Sequence, residues 1–87
     1  MKSGMKAGLK RSLLAVLLAA DGVPVPESAL LEAARIHSRP LEAADAEVLD
    51  ALRDLEADRY AAGDTDDIQG RTWTLTVKGT HQARQIR

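Results

Sequence analysis

Arg71-Thr72-Trp73-Thr74-Leu75-Thr76-Val77-Lys78-Gly79-Thr80-His81-Gln82-Ala83-Arg84 carries two periods in one short stretch. Residues 71–75 alternate and are rich in β-branched and aromatic side chains, which reads as a strand. Thr76 is a helix-capping residue, and the spacing after it predicts a last helix over about 77–86, with Gly79 weakening its start. Upstream, Arg59-Tyr60-Ala61-Ala62 reads as a short partner strand, and Gly63 to Gly70 as a polar, turn-rich tip. The two make a β-hairpin over about 59–75. Trp73 on its alternating strand is read as a cap on a small core rather than a stacking platform.

The chain before the hairpin reads as helical. Met5, Leu9, Leu13, Val16, Leu17 and Ala20 recur at steps of three and four, the stripe of an amphipathic helix over about 5–20, with 1–4 expected to be flexible. Leu14 and Leu18 lie beside that stripe and either widen the core contact or form a dimer seam. Asp21-Gly22 stops the helix, since glycine takes the left-handed position past a helix end. Val23-Pro24-Val25-Pro26 reads as extended, because residues before proline are pushed out of helical geometry. Pro26 and Glu27 suit the start of a second helix over about 27–36, burying Leu30, Leu31, Ala34 and Ile36. His37-Ser38-Arg39 reads as a turn and Pro40 as a first-turn proline. A third helix over about 40–58 places Leu41, Ala44, Val48, Leu52 and Leu55 on one face. Glu47, Asp50, Arg53 and Asp54 fall opposite. The expected class is mainly α with a small β-hairpin, an α+β fold in one domain over 1–87.

Composition bounds the function. Eighty-seven residues with no Phe and no Cys build a small Leu/Val/Ile/Ala core, with net stability of about 5 kcal/mol. The absence of cysteine excludes disulfides, thiolate metal sites and a cysteine nucleophile. The formal net charge of −1 hides a division. Glu42 to Asp67 holds ten acids against Arg53 and Arg59, a net of −8. The remainder holds ten Lys/Arg against three acids, a net of +7. Such halves bear on partners more than on fold. Lys2, Lys6, Lys10 and Arg11 before the apolar run 13–20 have the outline of a secretory leader. A cut after Ala20 would put Leu18 where a small residue is wanted, and without this segment too little apolar material remains for a core. A cytoplasmic protein without a membrane span is expected.

The order helix, extended piece, helix, helix, hairpin, helix resembles a winged-helix (winged helix-turn-helix) domain of the bacterial regulator kind. Val48-Leu49-Asp50-Ala51-Leu52-Arg53-Asp54-Leu55-Glu56-Ala57-Asp58-Arg59-Tyr60 looks like the family's third helix entering the first wing strand. Trp73 to Arg84 resembles its pattern of aromatic, x, Leu-Thr, x, x, Gly, x, x, x, Ala. The resemblance spans roughly Leu9 to Ile86. It departs at Asp58-Arg59, where the family commonly has glycine.

The resemblance implies duplex DNA binding, with the third helix in the major groove and the wing on phosphate or the minor groove. Cations able to reach a duplex are Arg35, His37, Arg39, Arg71, Lys10 and Arg11. The outward face of the third helix carries Glu42, Glu47, Asp50 and Asp54, and the wing tip Asp64, Asp66 and Asp67. Carboxylates facing phosphate forfeit counterion release and add repulsion. The alternative is therefore a protein-interaction module, adaptor or homodimer, using Glu47, Asp50 and Asp54 with Leu14 and Leu18. Enzymatic function is not expected: His37 and His81 stand alone, and no nucleophile–base constellation is present. Asp64-Thr65-Asp66-Asp67 hints at a calcium loop, but Leu75 stands where its closing glutamate belongs, so neither metal nor cofactor is expected.

Overall fold

The computed structural model describes residues 3–37 and 45–85, with side chains from 7–34 and 45–85. In chain order the elements are α1 (Ser3–Ala19), β1 (Val25–Pro26), α2 (Glu27–His37), α3 (Asp45–Ala57), β2 (Ala61–Asp66), β3 (Gly70–Leu75) and α4 (Val77–Gln85). The described residues form a small α+β domain of four helices and a three-stranded antiparallel sheet in the order β1-β3-β2. α1 begins earlier than expected, since Ser3 and Gly4 are already helical. The expected turn at Ser38–Arg39 and the start of the third helix at Pro40 lie outside the described residues.

Each boundary has a local cause. α1 closes through two consecutive residues of positive φ, Asp21 (52°) and Gly22 (85°), with the Val23 amide donating to the Ala20 carbonyl at 3.1 Å. Paired positive φ values are what a type I′ turn requires. α3 ends in a Schellman arrangement: Tyr60 N–H donates to the Leu55 carbonyl at 2.8 Å, and Arg59 N–H to that of Glu56 at 3.0 Å. The left-handed position is Arg59, φ 65°. That geometry is why glycine is usual there. β1 is only Val25-Pro26 at the sheet edge, where a proline costs no central ladder bond, and Val25 pairs with Trp73. The hairpin register runs from Ala61↔Leu75 to Asp66↔Gly70.

The core lies between α1, α2, α3 and the inner face of β3. Leu9, Leu13, Leu14, Leu17, Leu30, Ala34, Val48, Ala51, Leu52, Leu55, Ala61, Trp73 and Ala83 are buried. Two details correct the periodicity. Leu14 is 4% exposed and belongs to the core, because α1 is flanked by both α3 and α4; Val16 sits at the margin instead. Leu14 thus widens the core contact, and Leu18 is half-buried against the same cluster.

Thr76 ties α4 to the end of α3. Its hydroxyl donates to the Arg59 carbonyl at 2.5 Å and accepts from the Gly79 amide at 2.9 Å, while its own amide donates to the Tyr60 carbonyl at 3.1 Å. It thus caps α4 as the sequence indicated. The approach is so close that a Cβ at Gly79 would lie 1.7 Å from the Tyr60 oxygen. The glycine that looked unfavourable for a helix is required by this contact.

Candidate functional site

A concavity with charged walls lies between α2, α3 and β3. It encloses about 370 Å³ and is lined by Glu27, Leu49, Arg53, Glu56, Arg71 and Trp73. Trp73 forms its floor: the ring is buried, and its indole N–H donates to Glu27 Oε1 at 3.2 Å. A buried indole needs an acceptor. Glu27, placed at the first turn of α2 by Pro26, provides it.

Arg71 lies across this floor. Its guanidinium carbon sits 4.8 Å from the Trp73 ring centroid, and Nη2 donates to Glu56 Oε2 at 3.1 Å. Gly63 on the neighbouring strand makes room, since a Cβ there would come within 2.6 Å of Nη2. Glu56 also accepts from the Gly63 amide at 3.4 Å. Arginine, glutamate and tryptophan therefore form one cluster joining α3 to the hairpin.

Lys10 is engaged in a comparable way, with Nζ 3.4 Å from Asp54 Oδ2 on α3. Two of the cations expected to face phosphate, Lys10 and Arg71, thus point to carboxylates of the third helix. Arg11 is exposed on α1. Arg35 and His37 lie in the last turn of α2, and Arg39 falls outside the described residues. The structure therefore brings Lys10 beside Asp54 and Arg71 beside Glu56.

The acidic candidates lie together along α3. Asp50 is exposed, Glu47 and Asp54 are half-buried, and all three take part in polar contacts. The hairpin tip is built by an Asx turn: Asp66 Oδ1 accepts from Ile68 N at 2.7 Å and Gln69 N at 2.9 Å. The Gln69 and Ile68 amides together hold the Asp66 carboxyl below its ordinary range. Those bonds give Asp66 a part in the turn. Among the described residues no three His, Cys, Asp or Glu side chains group as a metal site. His81 ends in a contact with Gln85 at 3.0 Å on the surface of α4. No helix among the described residues is long and apolar enough to cross a membrane.

Sequence reading missed Glu27 and Glu56. Glu27 was legible only as a favourable charge at a helix start. The signal that points to it is the buried tryptophan itself, whose N–H must find a partner 46 residues away. Comparison with family models, with curated proteins and with solved structures finds no match to this chain.

Proposed function

We propose that this chain is a non-enzymatic winged-helix domain of the regulator-like kind that works by holding a partner, and that the partner presents a basic protein surface to the α3 face. The observation that carries this reading is the fate of the cations: Lys10 and Arg71 are each paired to an α3 carboxylate, at 3.4 and 3.1 Å. A cation so placed brings little counterion release to a phosphate backbone, because its charge is already offset. The surface beside those pairs is acid-rich, with Asp45 and Asp50 exposed and each also engaged in a contact within the chain. Like charges across an interface exclude wrong partners, so this face disfavours DNA and favours Lys/Arg-rich protein.

A second reading is a DNA-binding regulator. The element order and the β1-β3-β2 sheet favour it, since they agree with the winged-helix resemblance. It uses Arg11 with Arg35, His37 and Arg39 as phosphate contacts.

One pair of titrations separates them. Fluorescence anisotropy is followed with a mixed-sequence duplex and with a short labelled Lys/Arg-rich peptide, each at low and at physiological salt. The protein-partner reading expects the peptide to bind and the duplex to stay free, with Asp50→Lys plus Asp54→Lys abolishing peptide binding. Micromolar, steeply salt-dependent duplex binding, weakened by Arg39→Ala with a salt slope lower by about one, establishes the DNA reading instead.

A further inference from the structure

A second concavity lies on the opposite side of α3, between α1 and α4, and encloses about 330 Å³. Ala7, Leu14, Leu55 and Tyr60 make it largely apolar. Its rim is mainly cationic. Lys10 and Arg11 stand on α1 against one acid, Asp58. Lys10 shares its charge with Asp54, so the exposed Arg11 is the principal cation of that rim.

The same chain carries a complementary shape. Ile68 at the hairpin tip is 94% exposed, the most exposed large apolar side chain among the described residues. The two amide bonds to Asp66 fix the backbone that presents it, so little order is lost on docking. Asp64 and Asp67 flank it, both exposed. An apolar peg flanked by acids and an apolar pocket bordered by Arg11 thus occur on one molecule.

We infer that the chain self-associates head to tail, the Ile68 tip of one copy entering the α1–α4 pocket of the next with Asp64 and Asp67 facing Arg11. The contact is heterologous, since peg and pocket are different surfaces, and it leaves each copy with one of each to offer. It goes beyond the partner reading above and does not use the exposed acids of α3. A single side chain and its rim make a small interface, so the association is weak.

Sedimentation velocity from about 10 µM to about 1 mM tests it, in the range where small interfaces assemble. The wild type is expected to sediment faster as concentration rises. Ile68→Asp, which removes the peg, and Arg11→Glu, which spoils the rim, are each expected to remain monomeric. Ala7→Trp, which fills the pocket from an exposed position, is expected to do the same. Circular dichroism confirms that each variant is folded. Mixed in equal amounts, Ile68→Asp and Arg11→Glu are expected to form a dimer and nothing larger, because one retains the pocket and the other the tip. A wild type monomeric throughout, an Ile68→Asp variant that assembles normally, or a mixture that stays monomeric overturns the inference. Asp50→Lys leaves peg and pocket untouched, so loss of peptide binding there is distinguishable from loss of self-association.

Discussion

At the scale of single residues, Gly79 and Arg59 show how the backbone limits what a position can hold. Gly79 packs against the Tyr60 carbonyl with no space for a Cβ. Gly79→Ala is expected to cost about 3 kcal/mol, because backbone faces backbone and α4 must be pushed away to relieve it. A urea melt reads this directly, and a loss below about 0.5 kcal/mol would show that α4 slides freely. Arg59 shows the opposite case, a side-chain-bearing residue at φ 65°. Arg59→Gly is expected to stabilise the fold by about 0.5–1 kcal/mol, since its Thr76 contact uses only the backbone carbonyl. An unchanged denaturation midpoint would deny the strain. Both positions were legible only in part. The Leu-Thr-x-x-Gly spacing marked Gly79 as a family feature, while propensity alone made it a defect; the steric reason exists only once Tyr60 is brought alongside.

At the scale of elements, the hairpin is governed by its two ends. Its tip depends on an ionised Asp66, whose carboxyl is held low first by Gln69 N–H and then by Ile68 N–H. A depressed folded-state pKa means that the turn's contribution is present above the ordinary carboxylate range and is lost as pH falls through the folded value. The Ile68 and Gln69 amide resonances are therefore expected to shift together in acid below that range. Asp66→Ala is expected to abolish the transition, whereas resonances that titrate unchanged in the variant would locate it elsewhere. At the other end, the Glu56–Arg71 pair is half-exposed on both sides. Glu56→Gln is expected to cost no more than about 1 kcal/mol in stability. It is also expected to free Arg71 and so raise duplex affinity at low salt; an unaltered anisotropy curve would show that this pairing is not what withholds the cation. The strands and helices themselves were readable, since periods of two and of three to four recur cleanly. The inward stripe of α1 was readable at Leu9, Leu13 and Leu17, whereas for Leu14 two readings stood open. Leu14 is buried because α4 returns to cover it, and no local pattern in α1 announces a helix that begins at residue 77.

At the scale of the whole molecule, the −8 and +7 segments are not held apart, because Lys10 and Arg71 reach across to Asp54 and Glu56. Added salt is therefore expected to change the thermal midpoint little, these pairs being surface interactions worth a few tenths of a kcal/mol each. A midpoint that falls steeply with salt would mean that the opposed segments are a principal source of cohesion. The sheet order has a different consequence. The middle strand, β3, is the last of the three to occur in the chain, and it bears Trp73, against which both β1 and α2 close. On a ribosome adding about 5–20 residues per second, the three leading helices and β1 emerge before β3 is there to pair. Native protection against a protease should thus arise in a single late step, as residues 70–75 clear the exit, rather than growing with nascent length.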